Sequence, residues 1–222
     1  LDKENIKNKI LLIGDSKAQD LFITLNNISS YKNDFSFYSI SRSLNSYNIN
    51  KFINKLLVDD YFRKSDKIII ATVYQKDFNN FLHNISKLKA IFDELDKEFI
   101  VVLPYPKFDI VNIDPLLHII SKSRTDTFLE KKQIERELYS LIEKSYLINQ
   151  SKIISYLNKK QIKFLIPTDY ICPELSKKKC LIYTKDNKII YFDDSHITVN
   201  SSKFLGENII NNKWIEKFLF SQ

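Results

Sequence analysis

The sequence contains no methionine, not even at position 1, where it has Leu1. Leu1 is therefore not expected to be a natural start, and the chain reads as a piece of a longer protein or as a mature form after cleavage. Glycine is scarce, with 2 in 222 residues, while asparagine, lysine, isoleucine, phenylalanine and tyrosine are abundant. The bias resembles that of an AT-rich genome, so much of the lysine content is not expected to carry a functional message. No apolar run approaches the roughly 20 residues that cross a bilayer. No secretory leader is read from Leu1 onward, so an upstream segment is expected to serve any export. The 2 cysteines, Cys172 and Cys180, have no nearby His or Cys to complete a tetrahedral set, which argues against structural zinc. They are either unrelated thiols or a short disulfide, which would imply an oxidising compartment and stabilise the chain by roughly 2–3 kcal/mol.

Hydrophobic residues make up 44% and charged residues 27%, which is ordinary for a globular domain. The length suits one large or two small domains. Without a repeat, a low-complexity tract or a linker, a single domain over residues 1–222 is the simplest reading. The net charge is +7. A solvated lysine surface accounts for it, and so does attraction to an acidic glycan, a membrane surface or nucleic acid. Nucleic acid ranks last, because there is no aromatic–basic repeat and no binding motif.

Apolar patterning alternates between two periods. Ile10 to Ile13 is a continuous apolar run ending at Gly14, as expected of a strand buried on both faces. Ala18, Leu21, Phe22 and Leu25 then recur at helical spacing. Further strands are expected over 35–40, 67–73, 99–103 and 162–166. Helices are expected around Ile49–Leu57 and over 78–95, 128–160 (broken near Asn149), 201–210 and 213–220. A hairpin is expected around Asp186–Asn187. This alternation predicts an α/β fold, a three-layer α/β/α sandwich around a central, mostly parallel five-stranded sheet. In such sheets, sites form beyond the carboxyl ends of the strands, where Ser16 stands.

Two segments can do chemistry. Ser16 opens a helix, so its N–H is one of the unpaired donors and its hydroxyl lies near the positive end of the dipole. Gly14, two residues earlier, permits a tight turn and close approach of substrate. Taken alone, Asp15 or Ser16 reads equally as a helix cap. His196 follows Asp193 by three residues, and a carboxylate so placed can fix the imidazole tautomer. Asp194 is the second choice for that role, and a turn with an exposed histidine is the plain alternative. The sequence holds 3 histidines, and neither His83 nor His118 has such neighbours. An early serine and a late Asp-x-x-His fit one reaction, acyl transfer by a Ser–His–Asp triad.

Leu11–Leu12–Ile13–Gly14–Asp15–Ser16 and Tyr191–Phe192–Asp193–Asp194–Ser195–His196–Ile197–Thr198 resemble the first and last blocks of the SGNH, or GDSL-like, hydrolases. More narrowly, the chain resembles the SGNH domain fused to membrane-bound acyltransferase-3 proteins, which O-acetylate bacterial surface polysaccharides. That subgroup carries Cys…Cys upstream of Tyr-x-Asp-x-x-His-Leu-Ser, a layout that Cys172, Cys180 and Tyr191–Thr198 match. Val101–Val102–Leu103–Pro104–Tyr105–Pro106 resembles its fourth strand and proline-rich turn. The resemblance implies Ser16 as nucleophile, His196 as base, Asp193 as orienting acid and a Cys172–Cys180 disulfide. It also implies the C-terminal, extracytoplasmic part of a longer membrane protein, at the periplasmic face of the bacterial inner membrane. The expected partners are a glycan acceptor and the membrane acyltransferase domain of the same chain. No cofactor is expected in this domain, the acetyl group being delivered from acetyl-CoA by the membrane part.

The sequence departs from the family pattern in three places. Lys17 stands where the subgroup often has His. Thr72–Val73–Tyr74–Gln75 replaces the asparagine block after the third strand, and no glycine marks the second block. The candidates for oxyanion or substrate contact are therefore Gly14, Lys17, Asn45 and Gln75, together with the Ser16 N–H. Three functions remain: a polysaccharide O-acetyltransferase, a carbohydrate or lipid O-acetyl esterase with the same triad, and a non-catalytic glycan-binding module on the same fold.

Overall fold

The computed structural model describes residues 9–27, 34–40, 44, 48–72, 78–108, 128–173, 178–191, 193 and 196–220. The apolar runs form five strands: β1 (Lys9–Gly14), β2 (Asp34–Ser39), β3 (Lys67–Ala71), β4 (Glu98–Val102) and β5 (Lys163–Leu165). They pair in the order β2-β1-β3-β4-β5, and every pairing is parallel. The chain leaves β1 toward one edge of the sheet and returns at β3 toward the other, so the topological switch point lies between β1 and β3.

Successive strand residues face opposite sides, which splits the core in two. Ile10, Leu12, Ile69, Ala71, Ile100, Val102 and Leu165 face one layer. Its helices are α1 (Ser16–Asn26), α5 (Phe128–Ser140), α8 (Val199–Ile210) and α9 (Lys213–Phe220). Leu11, Ile13, Ile68, Ile70, Phe99 and Val101 face the other, built from α2 (Ile49–Leu57), α3 (Asp60–Lys64), α4 (Phe78–Glu94) and α6 (Lys144–Lys159). A short helix, α7 (Thr168–Ile171), follows β5. Each fully buried Ile, Leu or Phe contributes about 1.5–3 kcal/mol of transfer free energy. Among the described residues, no helix is long and apolar enough to cross a membrane.

The helices differ from the sequence expectation at several points. The expected 128–160 helix breaks at residues 141–143 and continues through Asn149. The break follows from tertiary pairing: Glu143 N–H donates to Lys107 O, and Ile142 bridges to Phe108. The five-residue α3 was not expected from the periodicity. It forms because Asp59 caps it, accepting from Phe62 N at 2.9 Å, and because Phe62 anchors it in the core at 1% exposure.

After α7 the chain builds a stack of short antiparallel contacts. Leu181 N donates to Ile171 O, Ile190 N to Ile182 O and Thr198 N to Ile190 O. Tyr183 bridges Ile189 across the expected hairpin, where Asn187 adopts a left-handed φ of 58°. Cys172 and Cys180 are both buried and disulfide-bonded, with their Cα atoms 4.0 Å apart. This stack carries the chain to Asp193 and His196.

Candidate active site

Gly14 closes β1 inside the sheet. A Cβ there would lie 1.7 Å from Ala71 O and 2.6 Å from the Ala18 Cβ. The glycine is therefore required by the close approach of β3 and α1. It is buried, with its carbonyl accepting from Ile40 N at 2.8 Å. This corrects the expectation that Gly14 makes room for substrate: the room it makes is filled by the protein's own backbone.

Asp15 is the N-cap of α1, its Oδ1 accepting from Lys17 N at 3.0 Å. Its Oδ2 accepts from Thr72 Oγ1 at 2.8 Å, which ties the start of α1 to the end of β3 across the switch point. Thr72 Oγ1 in turn accepts from Leu44 N, and Leu44 O accepts from Asn84 Nδ2 at 2.8 Å. Because Asp15 does the capping, the exposed Ser16 hydroxyl is left for another partner.

That partner is His196, whose Nε2 lies 2.9 Å from Ser16 Oγ, although 180 residues separate the two in the chain. The other ring nitrogen, Nδ1, lies 2.7 Å from Asp193 Oδ2, and the His196 N–H donates to Asp193 Oδ1 at 2.7 Å. An ionised carboxylate only accepts, so Nδ1 carries the proton and Nε2 presents a lone pair to the serine. The arrangement can move a proton from Ser16 Oγ to Nε2 and hold the imidazolium that results. Thr198 braces the segment from its far side, donating to Ile189 O at 2.6 Å and capping α8 through Ser201 N.

Of the other expected contact residues, Lys17 is among those described. Lys17 is 4% exposed. Its charge acts inward on Asp20, and its N–H is spent on the Asp15 cap. This corrects the expectation that it reaches substrate. Asn45, Gln75, His118 and Asp194 lie outside the described residues. The Ser16 N–H lies in the first turn of α1, where backbone donors lack partners within the helix.

Asp20 was not singled out in the sequence. It is half-buried on α1, and burial pushes its carboxyl up to about 6 against the opposing pull of His196 and Lys17. The signal available was its spacing, four residues after Ser16 and so on the same helix face. Thr72 and Asn84 were likewise missed, because their role depends on contacts between distant strands and loops.

Residues 2–211 match the family described as the SGNH domain fused to AT3 domains. The chain belongs to that family. Among curated proteins, none matches it. Solved structures share its fold at low identity. A GDSL-like lipase from Bacteroides thetaiotaomicron is 9% identical with a TM-score of 0.53, over 94% of this chain and 87% of that one. An acetyl xylan esterase is 9% identical with a TM-score of 0.52, over 91% of this chain and 98% of its own. An acetylxylan esterase from Geobacillus stearothermophilus, a catalytic mutant carrying a serine-to-alanine change, is 10% identical with a TM-score of 0.52, over 98% of this chain and 99% of that one. At such identities the likeness is one of fold. Membership of the SGNH family supports a serine-hydrolase type of enzyme, an acyl esterase or acyltransferase.

Proposed function

We propose that this domain transfers an acetyl group to a hydroxyl of a bacterial surface polysaccharide through an ester on Ser16. The observation that carries the reading is the line of contacts from Ser16 Oγ to His196 Nε2 and from Nδ1 to Asp193, at 2.9 and 2.7 Å. Ser16 Oγ bonds to the acetyl carbonyl carbon as its proton passes to Nε2. The tetrahedral oxyanion, facing the Ser16 N–H, collapses and breaks the bond to the donor's leaving atom, which takes the proton from His196. The glycan hydroxyl then gives its proton to Nε2 and attacks the ester, and Ser16 Oγ leaves with that proton. Asp193 keeps its hydrogen bond to the imidazolium throughout and is not itself protonated.

The acetyl donor is delivered from acetyl-CoA by the AT3 membrane domain of the same protein, on the periplasmic face of the inner membrane. The fusion that defines the family supports the membrane acyltransferase partner in this reading. An esterase reading has its own support: Ser16 is exposed, so water can reach an ester formed there.

The test is the hydrolysis of p-nitrophenyl acetate, with mass spectrometry of the Ser16 peptide. The wild type is expected to release p-nitrophenol and carry an acetyl group on Ser16. Ser16→Ala is expected to lose about 1000-fold or more in rate. Equal rates in the two proteins would end the triad reading, and inactivity of both would favour a glycan-binding module. With the membrane domain present, acetate appearing on a glycan acceptor distinguishes the transferase. Free acetate alone indicates the esterase.

A further inference from the structure

The edge strand β5 borders a cleft of about 810 Å³ that shares no residue with the Ser16–His196–Asp193 site. That volume lies in the range of small-ligand sites. The end of α6 stands on one side of the cleft and α9 on the other, and Asp169, Tyr170 and Asn212 close one end. That end follows the carboxyl end of β5, as Ser16 follows that of β1. Because β3 and β4 lie between the two strands, the cleft is about 14 Å across the sheet from the nucleophile.

The lining narrows the occupant. Trp214 is a large apolar side chain left 37% exposed beside the cleft. Around it stand polar groups with nothing to bind. Among the described residues, the side chains of Asp169, Asn158 and Gln161 have no hydrogen-bond or ion-pair partner. The Tyr170 hydroxyl accepts from Asn212 Nδ2 at 3.1 Å, which leaves its own proton to donate. Partial burial raises the Asp169 carboxyl above its ordinary value.

Three classes of ligand fit poorly. The charges along the cleft balance, Glu98 and Asp169 against Lys163 and Lys217, so a polyanion gains little there although the whole chain carries +7. A fatty acyl chain would strip water from the carboxylate and amides and return no hydrogen bond. An added peptide strand needs a row of free backbone groups. β5 has three residues, and Leu165 O is committed to Leu103 N, so by alternation Phe164 alone turns its N–H and C=O outward from this strand. On either side, Ile162 N–H and Ile166 O are spent on Leu157 O and Asp169 N–H. A neutral sugar meets every condition. The C–H face of a pyranose ring packs on an indole, whose face is negative. Its hydroxyls donate to the carboxylate, exchange hydrogen bonds with the amides and accept from the phenol.

We propose that this cleft is a glycan-binding site apart from the triad, which takes a neutral oligosaccharide with one pyranose ring stacked on Trp214. That the sugar belongs to the acceptor polysaccharide rests on the acetyl-transfer reading above; the binding itself does not.

Trp214 is the only tryptophan of the chain, so its fluorescence reports on the cleft directly. The probes are hexasaccharides of glucose, xylose and N-acetylglucosamine, with a galacturonic acid hexasaccharide as the acidic comparison. At least one neutral hexasaccharide is expected to change the emission saturably at roughly millimolar concentration. Asp169→Ala and Asn158→Ala keep Trp214 and remove polar groups from opposite ends of the cleft. Each is expected to weaken that binding about 10-fold. Ser16→Ala is expected to bind as the wild type does. No change with any of the neutral sugars would overturn the proposal. Binding of the acidic sugar alone, or an affinity unaltered in both cleft variants, would overturn it too. Binding lost in Ser16→Ala would put the sugar at the triad, with the same result. If Ser16→Ala keeps wild-type hydrolysis of p-nitrophenyl acetate, the triad reading falls and the cleft stands. If Ser16→Ala is inactive and no neutral sugar binds, only the cleft falls.

Discussion

Burial pushes the Asp20 carboxyl up from an ordinary 3.8 to about 6, against the opposing pull of His196 and Lys17. A carboxyl whose pKa is raised by folding favours the native state most when protonated. Its contribution is complete below pH 4 and lost as the pH rises through about 6. Asp20→Asn removes that titration. The variant should therefore gain stability over the wild type as the pH rises from 4 to 8. The gain is about 1–2 kcal/mol once solvent screening of a partly exposed group is allowed for. Urea melts of both proteins at pH 4 and pH 8 check this. A difference between the two proteins that stays constant with pH would show that Asp20 ionises in the native state as freely as in the unfolded chain. The contrast with Gly14 is instructive, since there the constraint is steric and independent of pH: Ala71 O occupies the place of a Cβ.

At the level of elements, the site joins one regular piece to one irregular piece. Ser16 sits on a capped helix fixed to β3 through Asp15 and Thr72. His196 sits at the end of a stack whose layers pair a few residues at a time: Ile171 with Leu181, Ile182 with Ile190, Ile190 with Thr198. Such a stack has little backbone pairing to hold it, and the Cys172–Cys180 disulfide closes its first layer. The bond constrains the unfolded chain and is worth about 2–3 kcal/mol for so short a loop. In a protein of this size that corresponds to a fall in Tm of about 5–10 °C on its removal. The Cys172→Ser, Cys180→Ser double variant, or the wild type reduced with dithiothreitol, should show that fall. Activity in the variant should fade below the temperature at which the helices melt, because the His196 segment loosens first. Activity and helical signal that melt together, at the wild-type temperature, would show that the bridge contributes nothing to the stack.

Across the whole molecule, the sheet and most helices were legible because strands buried on both faces leave continuous apolar runs, such as Ile10–Ile13 and Ile68–Ile70, that no surface element tolerates. The Ser16, Asp193 and His196 positions were legible as residue types at suggestive spacings. What could not be read was set by contacts between distant segments. The turn at 141–143 depends on Lys107 and Phe108. The inward course of Lys17 runs against a lysine's usual preference for solvent. The burial that raises the Asp20 carboxyl exists only once the His196 segment returns to α1. That return is secured by α8 packing on α1 over one face of the sheet, with Leu205 and Ile209 in the same core as Ala18, Leu21 and Leu25. The two halves of the site are therefore only as well joined as these helices. Leu205 is 1% exposed, so Leu205→Ala should cost about 2–5 kcal/mol by lost contacts and a cavity. It removes no group from the site, so at low urea the variant should turn over at close to the wild-type rate. Its urea midpoint should fall equally for esterase activity and for helical ellipticity, since opening the α1–α8 contact exposes the core as a whole. Activity lost well before ellipticity would mean that α8 swings away by itself, and that the helix following His196 is a separately unfolding unit.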